Sequence, residues 1–153
     1  MDRENKEKVL MKKVYIAGPL FNEMERERNT QIDLLIRKIG FETYLPQRDG
    51  GIVAEMKLNK DAAQVERSVF EADIKQLLDC DYLLFLLDGP VLDDGSCFEL
   101  GYMYSLGKKS IGYKTDYRNW GDGKLNLMIE KSLNKIASTR QELVEIFKNL
   151  QKE

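Results

Sequence analysis

The sequence predicts an α/β domain in which a doubly wound parallel sheet of about five strands carries helices on both faces. Short apolar runs alternate with helical patterns along the 153 residues, as expected for successive β–α–β units. The run Tyr82–Leu87 is apolar at every position, which is typical of a central strand that is buried on both faces. The length fits one domain of ordinary size.

Turn and stop signals delimit the elements in the first half of the chain. Gly18-Pro19 ends the first strand, Gly40 ends the first helix and Pro46 ends the second strand. The predicted elements are the strand Lys13–Ala17, the helix Asn22–Ile39, the strand Phe41–Leu45, the loop Gln47–Lys60 and the helix Asp61–Asp79. A loop of this length within a compact domain suggests a functional segment.

The second half continues the alternation. Its predicted elements are the strand Tyr82–Leu87, the loop Asp88–Asp94, the helix Gly95–Leu106, the strand Lys109–Tyr113, the loop Thr115–Gly123, the helix Leu125–Leu133, the strand Lys135–Ala137 and a last helix that Thr139 and Glu142 open as a capping box. Residues 1–11 are expected to be a charged extension, so that residues 12–153 form one flavodoxin-like or Rossmann-like domain. Ligands of such sheets bind beyond the carboxyl ends of the strands.

The composition excludes several kinds of active site. The chain has no histidine, which excludes a Ser-His-Asp triad, a Cys-His dyad and an HExxH zinc site. Acid–base chemistry must therefore use carboxylates, Lys, Tyr or Cys. Cys80 and Cys97 are too few for a disulfide framework, have no metal-ligand spacing, and are expected to be buried free thiols.

The charge and the apolar runs also limit the partners. A net charge of −2 gives no basic surface, so we expect no nucleic-acid partner. No apolar stretch approaches the roughly 20 residues of a membrane span, and the first residues lack the apolar core of a signal peptide. These features predict a cytoplasmic protein without a membrane partner.

Asp73 is the first carboxylate in an unusual place. It is the one charged residue in the apolar stripe of its predicted helix, in the row Val65, Val69, Asp73, Leu77. A buried carboxylate without a partner is costly. Asp73 is therefore expected either to make a structural hydrogen bond from the helix to a loop or to face a cavity.

Glu99 is the second such carboxylate. Nearly every other residue after Gly95 is apolar or small, so this helix is expected to be buried on most sides. Asp93 or Asp94 is expected to cap the helix, but capping does not explain Glu99. The helix N-terminus favours the ionised form of Glu99, while its apolar neighbours leave it poorly solvated, as suits a carboxylate nucleophile. The alternative is that the composition of the helix places a glutamate at this position by chance, without a function.

Three carboxylates at one edge of a sheet, without histidine, suggest glycosyl transfer. In such reactions one carboxylate attacks an anomeric carbon and another handles the proton of the leaving group. This chemistry needs neither a metal nor a redox cofactor, so we expect the protein to use no cofactor.

The sequence resembles the nucleoside 2-deoxyribosyltransferase family from Lys12 to Asn149. The resemblance rests on the order and spacing of four segments: VYIAGPLF at Val14–Phe21, the helix that carries Asp73, DDGSCFELG at Asp93–Gly101, and LNLM at Leu125–Met128. It implies an enzyme that exchanges the base of a 2'-deoxyribonucleoside for a free purine or pyrimidine base, in nucleotide salvage, and leaves the base preference open.

The resemblance also implies roles for individual residues. Glu99 corresponds to the family's nucleophile, which forms a covalent deoxyribosyl intermediate. Asp93 corresponds to the aspartate that contacts the deoxyribose hydroxyl, and Asp73 to the aspartate that holds sugar and base and takes part in proton transfer. Tyr15 would orient the nucleophile, and Phe21 would help to enclose the base.

A homo-oligomer with shared sites is implied by the last matching segment. Asn126 corresponds to a residue that reaches a neighbouring subunit's active site, and Met128 to one that lines the base pocket. For Asn126 an internal cap of its own short helix is the alternative. Some family members place a glutamine near the base after the second strand, and here the choice among Gln47, Arg48 and Asp49 is open. Where other members supply a chain-terminal carboxylate, this chain has the polar tail KNLQKE.

Two other functions compete with this interpretation. A related 2'-deoxynucleoside 5'-monophosphate N-hydrolase would need Ser and Arg around a phosphate; the first loop, GPLFNEM, has neither, although Ser96 is able to donate one hydrogen bond. A non-enzymatic receiver module with Asp88 as phosphoacceptor would need an acidic pair after the first strand, where this chain has Ala17-Gly18-Pro19-Leu20. No GxGxxG follows a strand, so a dinucleotide-binding enzyme is not indicated.

Overall fold

The computed structural model describes residues 10–56, 61–116, 118 and 124–153. Most of the predicted extension 1–11 lies outside these residues, as do parts of the predicted loops Gln47–Lys60 and Thr115–Gly123.

Five parallel strands form one sheet in the order β2–β1–β3–β4–β5. The strands are β1 (Lys13–Ala17), β2 (Glu42–Tyr44), β3 (Tyr82–Leu86), β4 (Lys109–Tyr113) and β5 (Lys135–Ala137). All four pairings are parallel, which confirms the predicted sheet. The chain leaves β1 in one direction to β2 and later returns to its other side at β3, so a crevice forms at the carboxyl ends of β1 and β3.

Helices cover both faces of this sheet. They are α1 (Glu23–Ile39), α2 (Pro46–Asp49), α3 (Val53–Met56), α4 (Ala62–Asp79), α5 (Asp94–Ser105), α6 (Leu127–Ser132) and α7 (Arg140–Leu150). The alternation along β1 shows the two cores. Val14 and Ile16 pack with α1 and α7, whereas Tyr15 and Ala17 pack with α4 and α5 on the other face. The site is built on the second face.

Local signals in the sequence account for the ends of the long helices. The Asn22 side chain accepts a hydrogen bond from the Glu25 N–H, and the Glu25 carboxylate accepts one from the Asn22 N–H, so α1 begins with a full capping box. Gly40 ends α1 with φ 113°, a conformation that glycine adopts readily. At α7, Thr139 caps the helix as predicted. The Glu142 carboxylate, however, accepts from Ser138 instead of Thr139, so the predicted capping box is only half formed.

Two predictions about individual elements are wrong. The first part of the predicted loop Gln47–Lys60 folds into the short helices α2 and α3. Helix α5, predicted to be buried on most sides, buries only the side that faces the sheet, because no described element packs on its outer side. Phe98 and Tyr104 are 53% and 62% exposed there, and the Phe98 ring lies 6.3 Å from that of Phe70 on α4, which is also exposed.

Cys80 is buried and Cys97 partly exposed, and both are free thiols. Within the described ranges, no helix combines the length and the apolar composition needed to cross a bilayer.

Candidate active site

A cavity of about 680 Å³ opens in the crevice at the carboxyl ends of β1 and β3. Its walls come from the loop after β1, the first turn of α1, the α2–α3 segment, the middle of α4 and the start of α5. Four of the seven residues predicted for the site line it: Phe21, Asp73, Asp93 and Glu99. Its position at the switch between β1 and β3 is where a parallel sheet of this topology binds ligands.

Glu99 lies in the second turn of α5 and receives a hydrogen bond from β1. The fully buried Tyr15 side chain points to the α4–α5 face of the sheet, and its hydroxyl donates to Glu99 Oε1 at 2.7 Å. Burial raises the pKa of Glu99 to about 8, the hydrogen bond from Tyr15 opposes this, and the charges of Asp73 and Asp93 add to it. Burial and the two nearby carboxylates raise the pKa of Tyr15 far above its usual range, so its hydroxyl stays a donor.

Asp73 faces the same cavity from α4 and is held from β2. The Tyr44 hydroxyl donates to Asp73 Oδ1 at 2.9 Å. Asp73 therefore faces a cavity, which was one of the two alternatives for it. It also makes a structural hydrogen bond, which was the other, but its partner lies on a strand and not in a loop. Burial raises the pKa of Asp73, and the hydroxyls of Tyr44 and Tyr15 lower it. The net effect is a pKa above the usual range of an aspartate, which is the direction that suits a proton donor.

Asp93 is the residue that caps α5, as predicted for one of the two aspartates. Its Oδ2 accepts from the Ser96 backbone N–H at 2.8 Å and from the Ser96 hydroxyl at 2.6 Å. Ser96 is 1% exposed and gives its only hydroxyl proton to Asp93, so this hydroxyl does not donate to a ligand at the same time. Among the described residues, no three His, Cys, Asp or Glu side chains are grouped so as to hold a metal ion.

Apolar side chains form one wall of the cavity. Leu20 and Phe21 follow β1, and Ile52 and Val69 contribute from the segment after α2 and from α4. Phe21 is 75% exposed and lies at the mouth, where its ring is free to cover a flat ligand. A cavity lined by apolar side chains as well as carboxylates fits a ligand with one flat apolar part and one polar part.

Asn126 and Met128 do not line this cavity. The Asn126 side chain accepts from the Met128 N–H at 2.9 Å and caps α6, which is the alternative that its sequence position left open. Met128 is 73% exposed, and Asn126 is exposed as well. The predicted reach of Asn126 into a neighbouring subunit's site and the predicted place of Met128 in the base pocket stay predictions.

None of the three candidates for a base contact in the α2 segment lines the cavity. Gln47 donates to the Arg26 carbonyl, Arg48 forms an ion pair with the buried Asp33 at 2.7 Å, and Asp49 accepts from the Leu45 N–H at 2.9 Å. These contacts hold α2 in place. In this segment the cavity wall comes instead from Pro46, from positions 50–52 and from Glu55.

Arg26 lines the cavity and was missed by the sequence analysis. Its Nη1 donates to the Leu20 carbonyl at 3.0 Å, and no described carboxylate pairs with it. Its position in the first turn of a helix that follows the carboxyl end of β1 is the signal that was available, because helical side chains point towards the N-terminal end. The cavity therefore contains a cation as well as its carboxylates.

Solved structures of a 2-deoxyribosyltransferase and of a CMP N-glycosidase share this fold. The chain belongs to the nucleoside 2-deoxyribosyltransferase family, whose model matches residues 14–146. The predicted family resemblance is confirmed.

Several solved structures are similar to this chain, to different degrees. A conserved protein from Enterococcus faecalis V583 is 28% identical with a TM-score of 0.76, and the match covers 92% of this chain and 99% of that one. A 2-deoxyribosyltransferase from Bacillus psychrosaccharolyticus is 24% identical with a TM-score of 0.72, over 86% and 90% of the chains. A CMP N-glycosidase from Clostridium botulinum is 18% identical with a TM-score of 0.54, over 88% and 97%. The last two similarities show the shared fold.

Two curated relatives match over part of their length. An uncharacterised protein of Schizosaccharomyces pombe is 32% identical over 110 residues, which are 69% of this chain and 51% of the relative. An uncharacterised protein of Ureaplasma parvum serovar 3 is 32% identical over 100 residues, which are 63% and 61%. The chain thus spans between half and two thirds of the length of these relatives.

Proposed function

We propose that the protein transfers 2-deoxyribose between purine or pyrimidine bases through a covalent deoxyribosyl ester of Glu99. The observation that carries the proposal is the placement of Glu99 at the cavity, where the Tyr15 hydroxyl donates to its carboxylate at 2.7 Å and Asp73 lies close enough for its charge to act on it. Membership of the family supports deoxyribonucleosides and free bases as substrates.

In the first step an oxygen of ionised Glu99 attacks C1' of the deoxyribose. The C1'–N bond breaks, its electron pair leaves with the base nitrogen, and Asp73 donates a proton to the base. Burial favours the protonated form of both carboxyl groups and gives Glu99 a pKa of about 8. The attack therefore proceeds from the ionised fraction of Glu99, which the hydrogen bond from Tyr15 increases, while protonated Asp73 is the proton donor.

In the second step a nitrogen of the incoming base attacks C1' of the ester. The ester C–O bond breaks, its electron pair returns to Glu99, and the proton of the incoming nitrogen passes to Asp73. Two displacements at C1' give net retention of configuration, as in retaining glycosidases. Asp93 accepts a hydrogen bond from a sugar hydroxyl, and the apolar wall that ends at Phe21 covers the base.

Incubation with deoxyinosine and adenine tests the proposal. The expected products are deoxyadenosine and hypoxanthine in equal amounts, with the β configuration at C1' by NMR. Deoxyinosine alone serves as the control and should give little hypoxanthine. If deoxyinosine is consumed neither with nor without adenine, the proposed function is wrong. If it is consumed equally in both incubations, the reaction is hydrolysis.

Asp73→Asn is expected to lower the transfer rate by roughly 10²- to 10⁴-fold, the usual range for removal of a general acid or base. Asparagine keeps an oxygen that accepts from the Tyr44 hydroxyl and removes a partly buried charge, so the melting temperature should not fall. Initial rates and thermal melts of the same preparation measure both. A sharp fall in melting temperature together with activity would show that the hydrogen bond to Tyr44 has a structural role.

A 2'-deoxynucleoside 5'-monophosphate N-hydrolase is the second candidate, and Arg26 is the observation that favours it. This guanidinium lines the cavity without a described carboxylate partner and is able to bind a phosphate. Ser96 weighs against it, because its hydroxyl already donates to Asp93.

The two functions differ in the effect of a 5'-phosphate. We expect kcat/KM to be higher for deoxyinosine than for deoxyinosine 5'-monophosphate, and Arg26→Gln to leave this order unchanged. The opposite order in the wild type, reversed by Arg26→Gln but kept by Arg26→Lys, together with equal consumption with and without adenine, would establish the hydrolase.

A further inference from the structure

The Tyr44 hydroxyl occupies a tightly enclosed place beside Asp73. Tyr44 is 5% exposed, and its ring lies 5.2 Å from that of Tyr15, its parallel partner in the β1–β2 register. Its hydroxyl donates to Asp73 Oδ1 at 2.9 Å. The Tyr15 hydroxyl thus donates to Glu99 and the Tyr44 hydroxyl donates to Asp73.

Gly50 covers this hydroxyl from the α2 side. A Cβ atom at Gly50 would lie 2.7 Å from the Tyr44 hydroxyl oxygen, 3.1 Å from the Pro46 carbonyl oxygen and 3.4 Å from Asp73 Oδ1. The backbone at Gly50 is in the ordinary right-handed region, with φ −98°, so space and not conformation calls for glycine here. A side chain at this position would have to displace the hydroxyl or the carboxylate.

Helix α2 is itself anchored, which fixes Gly50. Arg48 pairs with Asp33, which is 2% exposed and also accepts from the Thr43 hydroxyl at 2.5 Å. Arg48 also pairs with Asp49 at 2.6 Å. A chain of contacts thus runs from the buried part of α1 through α2 to the hydroxyl of Tyr44.

We propose that Tyr44 is a positioning residue for Asp73: its hydroxyl fixes one carboxylate oxygen, so that the other is held towards the substrate base. This inference rests on the proposed function of Asp73 in proton transfer. Tyr44 does not itself touch the reacting atoms. It acts by restricting the rotation of a carboxyl group that would otherwise have several orientations in the cavity.

Several other groups act on Asp73. Tyr15 faces it from β1, Tyr44 from β2 and Glu99 from α5, while the remaining charged residues of the cavity are Arg26, Glu55, Asp93 and Asp94. Of the two hydroxyls that lower the pKa of Asp73, that of Tyr44 has the larger effect. Its removal should therefore raise this pKa.

Tyr44→Phe is the test, because it removes the hydroxyl and keeps the ring that packs on Tyr15. We expect kcat to fall roughly tenfold to a hundredfold, the loss that corresponds to one hydrogen bond to a charged group, with KM changed less. Tyr82→Phe is the matched control. Tyr82 lies on the opposite face of the sheet, where its hydroxyl accepts from Lys12 at 3.0 Å, and its loss should leave kcat unchanged.

A double-mutant cycle with Asp73→Asn separates positioning from a general structural effect. If Tyr44 acts through Asp73, Tyr44→Phe causes no further loss in the Asp73→Asn background. In the Glu99→Gln background, carboxyl ¹³C NMR should also show a higher pKa of Asp73 when Tyr44 is Phe.

Unchanged kcat in Tyr44→Phe would overturn the inference, and so would a loss that multiplies with that of Asp73→Asn. Both outcomes are defined only if the wild-type protein is active. A wild-type protein that neither transfers nor hydrolyses would instead refute the proposed function, and the NMR titration would still report whether Tyr44 acts on Asp73.

Discussion

Glu99→Gln is expected to lower deoxyribosyl transfer by at least about a thousandfold, because the amide is a far weaker nucleophile than the carboxylate that it replaces. The side chain keeps its size and its contact with the Tyr15 hydroxyl, so the cavity should be unchanged. Initial rates of base exchange measure the loss. Mass spectrometry of the wild type with deoxyinosine alone should reveal a deoxyribosyl adduct that the variant lacks.

The same substitution is expected to stabilise the fold at alkaline pH. Glu99 has a pKa of about 8 in the folded protein against the ordinary glutamate value of 4.5, so the folded state binds the proton more tightly than the unfolded state. The free energy of unfolding therefore decreases as the pH rises from about 4.5 to 8, and the cost is complete above pH 8. Gln carries no such cost, and the gain at pH 9 should be on the order of 5 kcal/mol, at about 1.4 kcal/mol for each pKa unit between the unfolded and folded values.

Thermal melts at pH 5 and pH 9 check this, with the exposed Glu145→Gln as the matched control. Glu99→Gln should raise the melting temperature much more at pH 9 than at pH 5, whereas the control should raise it at neither. A variant that still exchanges bases would assign the nucleophile to another residue. An equal melting shift at both pH values would show that Glu99 is not held as a buried acid.

The sequence predicted the sheet because each of its signals is local. The bounds of β1, β4 and β5 follow from apolar runs that end at turn residues, and they agree with the structure. Asp73 and Glu99 were identified because each is a charged residue in an otherwise apolar helical stripe. Parallel topology then brings them together at one edge of the sheet.

Other parts of the site depend on tertiary neighbours that no local pattern reveals. Tyr44 belongs to a strand of three residues, and its partner is set by the register that pairs it with Tyr15. Gly50 reads as a turn signal in the sequence, although its role here is to make room for a hydroxyl. Arg26 reads as one of many surface charges on α1 until the loop after β1 folds beside it.

The outer face of α5 carries exposed apolar side chains that suit a contact between subunits. Phe98 and Tyr104 are apolar enough to have predicted burial, yet within one chain they are exposed, as are Leu127 and Met128 near the start of α6. Apolar surface of this kind favours contact with a second chain. A homodimer through these helices would bury them and would bring the α6 region of one subunit towards the other, as the predicted role of Asn126 requires.

Mixing two inactive variants, Glu99→Gln and Asn126→Asp, is therefore expected to restore activity. Aspartate keeps the oxygen that caps α6, loses the amide N–H groups and adds a negative charge that a helix N-terminus tolerates, so this variant tests the reach of Asn126 and not the stability of its helix. If each site combines Glu99 of one subunit with Asn126 of its partner, a hybrid dimer has one site with both defects and one intact site. Random exchange at equal amounts makes half of the dimers hybrid, so activity should return to about one quarter of the wild-type value.

A second mixture, of Glu99→Gln with Asp73→Asn, gives the matched control. These two residues line the same cavity of one chain, so every site in a hybrid of these variants carries one of the two defects and no activity should return. Subunit exchange is followed in both mixtures by native mass spectrometry of differently tagged chains. Recovery in the first mixture alone would assign Asn126 to its neighbour's site. In that case the Glu99→Gln chain supplies an intact Asn126 to the site of a partner that still has Glu99. No recovery in either mixture, despite complete exchange, would leave Asn126 with the cap of α6 as its function.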